Sequence, residues 1–191
     1  IQGGHNPKLG IEYYEDSFKM IRSKFPNVGV HGLSTSEIDM IATVEKSSTK
    51  EILSRLKDAG LQSVPGAGAE ILTDSVKEII SPKKIDSDDW IRIMKESFEL
   101  GLPASATMMY GHVETNNDIV EHYDKIAKLQ KDLNGFMAFI PWSFEPNNTL
   151  MQKNGTVTTG AGGIQLLKMI AISRIIFDGL IDHIQSSWLT N

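Results

Sequence analysis

The sequence predicts an α/β chain, a partial (β/α) TIM-like barrel of about six parallel strands with helices outside. Three observations carry this. First, short apolar runs end again and again in polar, glycine-rich clusters: Gly3-Gly4-His5-Asn6-Pro7, His31-Gly32-Leu33-Ser34, Pro65-Gly66-Ala67-Gly68-Ala69-Glu70, Tyr110-Gly111-His112-Val113-Glu114, Pro141-Trp142-Ser143-Phe144-Glu145-Pro146 and Gln185-Ser186-Ser187-Trp188. Second, helix-like segments separate the clusters, and steps such as Gly4 to Ser34 are roughly 30 residues, the span of one βαβ unit. Third, Phe136 to Ile140 is apolar without alternation, as in a strand covered on both faces. Right-handed crossovers bring such strand ends to one rim, where α/β barrels keep their active sites.

Each element follows in order. Ile1-Gln2 reads as the end of a strand. Glu12 to Phe25 carries Tyr14, Phe18, Ile21 and Phe25 at near-helical spacing, and Pro26 stops it. Val28 to Leu33 is a short strand, and Ser36 is the expected N-cap of a helix through Val44. Ser48 or Thr49 caps Lys50 to Ala59, and Gly60 ends it. Leu61 to Val64 is a strand, and Thr73 to Ile80 a short helix closed by Ser81-Pro82. Ser87 is the expected N-cap of a helix with Trp90, Ile91, Met94 and Phe98 on its apolar face, ended by Gly101. Ala104 to Met109 is a strand of small residues and Met. Asn116 or Asn117 caps a helix to Leu133, and Asn134-Gly135 stops it. After the Phe136 to Ile140 strand, residues 147–163 read as a functional loop. A buried helix from Gly163 to Asp178 and a last strand from His183 to Trp188 follow.

The chain has 191 residues, a net charge of −5 and no cysteine. Lys and Arg are dispersed, so no nucleic-acid surface is expected. The longest apolar stretch, Ile164 to Ile181, is interrupted by Lys168, Arg174 and Asp178, which argues against a membrane span. Without cysteine the chain carries no disulfide, thiolate nucleophile or iron–sulfur ligand. A cytoplasmic setting fits that usage. His31, His112 and His183 lack metal-ligand spacing, and no metal site is expected. The strand-like start without Met suggests an excerpt of a longer polypeptide.

Read as chemistry, Gly3-Gly4 lets a ligand approach exposed backbone, or simply makes a tight turn. His5 and Asn6 add polar groups there. In the cluster from Pro65 to Glu70, two glycines can present N–H groups beside the Glu70 carboxylate; the alternative is a plain loop with Glu70 in a first helical turn. The Met109 backbone could bond a purine edge, Gly111 permits close approach, and Glu114 accepts from hydroxyls or caps the next helix. Trp142 and Phe144 offer aromatic surface for a ligand or the core.

Taken together, these clusters, with Glu12-Tyr13-Tyr14, Ile80-Ser81-Pro82-Lys83-Lys84, Ala106-Thr107-Met108-Met109 and Phe139-Ile140-Pro141-Trp142, resemble one family in order and over nearly the whole chain. That family is cyclic dehypoxanthine futalosine synthase, radical S-adenosylmethionine enzymes of menaquinone biosynthesis by the futalosine pathway. Aminodeoxyfutalosine synthase and the deazaflavin-cofactor synthase subunit are the nearby alternatives. Gly3-Gly4-His5-Asn6-Pro7, Ser81-Pro82-Lys83-Lys84 and Ile140-Pro141-Trp142 favour the cyclising enzyme. A cluster-free α/β-barrel binding protein is the alternative from another class. The chain departs from the family pattern at Ala67, where a third glycine is usual, at Ser34-Thr35 in place of Ser-Pro, and at Gly179-Leu180-Ile181.

The resemblance implies an incomplete radical S-adenosylmethionine core over residues 1–191. The family's three-cysteine motif for the [4Fe–4S] cluster lies on a first strand before Ile1, and a C-terminal segment follows Asn191. The excerpt alone is therefore expected to be inactive. It further implies cofactor contacts from Gly3, Gly4, Ser63, Glu70, Met109, Gly111, Glu114, Pro141 and Trp142, and substrate contacts from His5, Asn6, Ser34 and Glu37. The implied oxidoreductase chemistry is reductive cleavage of S-adenosylmethionine by an external electron donor. Hydrogen is then abstracted from ribose C4′ of the nucleoside dehypoxanthine futalosine, and the carbon radical adds to the benzoate ring. Loss of a proton and an electron follows, and His5, His31 and Glu70 are the candidate bases.

Overall fold

The computed structural model describes residues 1–187. Eight helices and three strands follow one another among them: α1 (Ile11–Lys24), α2 (Thr35–Glu45), α3 (Thr49–Ala59), α4 (Asp74–Ile80), α5 (Ser87–Glu99), β1 (Ala104–Tyr110), α6 (Asn116–Leu133), β2 (Phe136–Ser143), α7 (Leu150–Lys153), α8 (Gly163–Ile176) and β3 (His183–Ile184). The sheet order is β1-β2-β3, all parallel. Three further segments extend it on the β1 side through single parallel bridges and backbone bonds. Val64 pairs with Ala104 and His31 with Ser63, and Leu33 N–H donates to Ile1 O at 2.8 Å. Six extended segments thus lie side by side in chain order, the arrangement of a partial parallel barrel.

Side-chain alternation sets which face does what. Ala104, Ala106, Met108 and Tyr110 are buried in the core beneath the helices. Ser105 and Thr107 face the opposite way, into a cavity at the sheet's inner face. On the outer side Trp90 stacks on Phe136 with centroids 6.1 Å apart, and Phe139 sits between Tyr123 and Phe177 at 5.4 and 4.8 Å.

The helix caps correct the sequence reading by one or two residues. Ser34, not Ser36, caps α2, in a capping box with Glu37. Asp86, not Ser87, caps α5, and Thr115, not Asn116 or Asn117, caps α6 in a box with Asp118. In each case the extended residue whose side chain reaches the third helical N–H lies upstream of the expected one. Gly10 offers α1 no side chain, and Glu45 Oε1 takes the Ile11 N–H instead at 2.8 Å.

Three further expectations change. The strand expected to stop at Ile140 continues to Ser143, so Pro141 and Trp142 lie within it. The loop at 147–163 contains the short helix α7, capped by Thr149. Helix α8 is not buried: it encloses only Met169 and Ser173, while Ile164, Leu167 and Ile175 are exposed. The last strand is confined to His183–Ile184, and Trp188 lies outside the described residues. No helix of the described residues is long and apolar enough to cross a membrane.

Candidate active site

Two cavities of about 350 and 380 Å³ adjoin at the strand ends, with Gln2 and Ala67 lining both. The first is walled by Gly4, His5, Ser36, Gly68 and Lys83. The second is walled by His31, Gly66, Ser105, Thr107 and Ile140. A larger open groove of about 730 Å³ runs along the outer face of α6 and contains none of the strand-end residues.

Glu37 organises the first cavity. Its carboxylate accepts from the N–H groups of Gly3 and Gly4 at 2.7 and 3.0 Å. It also accepts from Ser34 N–H and Ser34 Oγ, both at 2.7 Å. The side chain is buried. Both oxygens are therefore committed inside the protein, and Glu37 and Ser34 fix the Gly3-Gly4 turn onto α2. A Cβ on Gly3 or Gly4 would meet nothing within 4 Å. The N–H side of this turn is tied and its other side faces open space.

The strap from Gly66 to Leu72 divides the two cavities and is held from behind by basic side chains. Lys77 Nζ donates to Gly68 O and Ala69 O at 2.8 and 3.2 Å. Burial lowers the Lys77 pKa to about 8, against the pull of the Glu70 carboxylate. Lys84 pairs with Glu70. Leu72 N–H donates to His122 Nδ1 at 3.0 Å, and Lys125 Nζ donates to Leu72 O at 2.7 Å. In front, Gly66 N–H donates to Ser105 Oγ and Thr107 Oγ1 donates to Gly66 O. A Cβ on Gly66 would lie 2.4 Å from Ser105 O, so only glycine fits against β1. The Gly66 N–H expected to face a ligand is thus used within the protein.

Beyond β1 the chain makes a turn clamped by Glu114. Its carboxylate accepts from Gly111 N–H at 2.5 Å and His112 N–H at 2.8 Å, and lies 2.9 Å from His112 Nδ1. Burial raises its pKa, but the His112 ring and the two N–H groups outweigh it and hold the carboxyl at about 2. A depressed carboxyl gives stability that is full above its unfolded pKa near 4.5 and lost as pH falls through about 2. Glu114→Gln removes the charge and offers an amide where donors already point. The expected loss is about 2–3 kcal/mol at pH 7, read from urea unfolding; an unchanged midpoint would refute the clamp.

The structure brings some expected site residues together and not others. Gly4, His5, Ser34 and Glu37 meet at the first cavity. His31 lines the second, with Nδ1 2.7 Å from Ser63 Oγ. Glu70 lines neither cavity, although its partner Lys84 lines the first. Asn6 is exposed and closes its own turn by accepting from Lys8 N–H. Both Met109 backbone groups are occupied: its N–H donates to Glu70 O at 2.7 Å, and its carbonyl meets His112 Nε2 at 3.1 Å. The close approach at Gly111 is taken by Ala161, 2.9 Å from where a Cβ would stand. In register, Trp142 pairs with Met109, whereas Pro141 pairs with the core residue Met108, so the two alternate in face. Sequence reasoning missed Lys77 and His122. The signal for His122 was its place in the apolar stripe of α6 with Ile119, Tyr123 and Ile126. No cluster of metal-binding side chains occurs among the described residues.

A parallel α/β rim with an open Gly-Gly turn fits nucleoside-cofactor chemistry, and comparison with known families agrees. Residues 1–126 match the model of the Radical SAM superfamily, and the chain belongs to that superfamily. Residues 133–191 match the CofH/MqnC C-terminal region. A cyclic dehypoxanthine futalosine synthase of Streptomyces coelicolor is 39% identical over the whole chain, which covers 46% of that protein. 5-Amino-6-(D-ribitylamino)uracil--L-tyrosine 4-hydroxyphenyl transferases of Methanosarcina mazei and Methanocaldococcus jannaschii are 39% and 41% identical over 99% of the chain, covering 51% and 54% of theirs. The chain spans about half the length of the curated relatives it matches.

The superfamily implies S-adenosylmethionine and a [4Fe–4S] cluster. The residues present fit the first. The Gly3-Gly4 turn is open on one side, and neither glycine's carbonyl accepts a hydrogen bond from a described residue. The cluster's thiolates are not supplied here, because the sequence has no cysteine.

Proposed function

We propose that the chain is the incomplete core, over residues 1–191, of a radical S-adenosylmethionine enzyme that cyclises dehypoxanthine futalosine in menaquinone biosynthesis. One observation carries the reading. Gly4 and His5 of the Gly-Gly-His-Asn-Pro segment and Lys83 and Lys84 of the Ser-Pro-Lys-Lys segment, far apart in sequence, wall one cavity with Ser34 and Glu37. These are two of the segments whose resemblance favours the cyclising enzyme.

When bound, the cofactor and cluster supply the radical that takes hydrogen from the substrate, once an external electron donor has reduced the cluster. The protein's part is orientation and exclusion of water. The Gly3 and Gly4 carbonyls hold the amino group of S-adenosylmethionine, while Glu37 keeps their turn in place. Met109 and Trp142 share one face of neighbouring strands and offer apolar surface to adenine. Gly111 and Glu114 shape the turn beyond it. Ser63 holds the His31 ring, and Pro141 stiffens β2. His31 is the favoured base: it lines the second cavity and burial holds its pKa below the usual imidazole value, leaving it neutral to accept a proton. His5 lines the other cavity, and Glu70 is tied to Lys84. Asn6 stays a substrate contact at the mouth. We place the enzyme in the cytoplasm.

The transferase names of several relatives support a second reading, transfer chemistry on an L-tyrosine side chain. The test is anaerobic turnover by the full-length protein reconstituted with iron and sulfide. The expected result is 5′-deoxyadenosine and cyclised product with dehypoxanthine futalosine. Turnover only with the ribitylaminouracil and tyrosine pair, or only with a carboxyvinyloxybenzoate acceptor, would move it to one of the sister activities. Failure to hold a cluster would leave a barrel that only binds.

A further inference from the structure

We infer that the cavity at the N-terminus of α2 is a binding site for a carboxylate group. The hydroxyls of Thr35 and Ser36, in the first turn of α2, are buried and have no hydrogen-bond partner. The two residues are 0% and 2% exposed. A buried hydroxyl left unpaired costs about 1–3 kcal/mol, so two adjacent ones need a reason.

The surroundings supply one. Ser36 walls the cavity opposite Gly68. A Cβ on Gly68 would come within 2.9 Å of Ser36 Oγ and 3.5 Å of Thr35 Oγ1, and Gly68 has φ +89°. The strap thus withholds a side chain just where the two hydroxyls would meet it. Lys83 lines the same cavity and pairs with no carboxylate among the described residues, whereas Lys84 is tied to Glu70. Glu37, also at the cavity wall, has both oxygens occupied by four internal donors and leaves the hydroxyls unclaimed.

The donor set defines the ligand. Two neighbouring hydroxyl donors, a free ammonium and the positive end of an 11-residue helix suit a flat anion with two oxygens. A cationic group would meet Lys83, Lys84 and the helix dipole. The site goes beyond the proposed cyclisation, because it specifies how an acid group is held whichever radical reaction the enzyme performs.

The test measures binding of sodium benzoate to the full-length protein by calorimetry, with inorganic phosphate as competitor, for wild type, Ser36→Ala and Lys83→Gln. Expected are saturable benzoate binding, tenfold or greater weakening in each variant, and little displacement by equal phosphate. Ser36→Ala is expected to melt no lower than wild type, since it removes an unpaired group. Absent binding, equal affinity in all three proteins, equal competition by phosphate, or a lower melting point for Ser36→Ala would each overturn the inference. Turnover is not needed for this readout, so a wrong assignment of the reaction is distinguished from a wrong assignment of the site.

Discussion

Acidification from pH 6.5 to pH 4.5 is expected to cost the fold about 3 kcal/mol through one side chain, His122. The imidazole is fully buried, and burial, reinforced by Lys77 and Lys125, lowers its pKa to about 3. The unfolded chain takes up the proton near pH 6.5 while the folded chain refuses it. Stability is therefore full above 6.5 and falls toward pH 3, with the unfolded state binding the extra proton throughout. The ring is held neutral because Nδ1 accepts the Leu72 N–H at 3.0 Å. Its Nε2 has no partner. His122→Gln keeps an acceptor for Leu72 and is expected to flatten this limb when urea unfolding is compared at pH 6.5 and 4.5. That window lies above the range in which Glu114 titrates, so the two groups are separated. A variant with the wild-type slope would remove His122 from the account.

The second large effect is expected from Glu37→Ala. The wild-type carboxylate gathers four donors from two places in the chain, Gly3-Gly4 and Ser34. Hydrogen bonds to a charged group contribute about 1.5–3 kcal/mol each when buried. Water can reach the exposed Gly3 and Gly4, so the expected loss is about 3 kcal/mol and not the sum. The local effect is larger than the global one, because residues 2–7 lose their main attachment to α2. Limited proteolysis should then cut there at protease levels that spare the wild type. Protection equal to wild type would show that other contacts hold the turn.

Much of the architecture is legible in the sequence because glycine and proline punctuate it. Gly60, Gly101 and Asn134-Gly135 end helices where expected, and the Phe136 run forms the sheet's middle strand. Boundaries are less legible where two capping residues stand together. Ser34 and Ser36 are equally good caps by type, and only the reach of Glu37 back to Ser34 decides between them. Pro141 hides the true length of β2, since proline usually argues against a continuing strand; β2 accommodates it with its side facing Met108. In the site, the glycine clusters correctly mark the rim. Their backbone groups, however, are largely used by partners far away in sequence, such as Ser105 for Gly66 and Glu70 for Met109. Lys77 reads as a solvated charge in a short helix, and nothing in its neighbours announces that it props up the strap.

The hydrogen bond from Met109 N–H to Glu70 O joins that strap to the turn held by Glu114. From Met109 the connection runs on through its carbonyl to His112 and from there to Glu114. Glu70 itself sits at φ +48°, a conformation few non-glycine residues hold without support. Two walls of the rim are therefore not independent coordinates. A ligand that favours one position of the strap favours one position of the turn, and by reciprocity a ligand at the turn changes affinity at the strap by the same factor. Cofactor and substrate affinities in this fold are linked quantities, and the linkage is carried by main-chain atoms that no side-chain substitution removes.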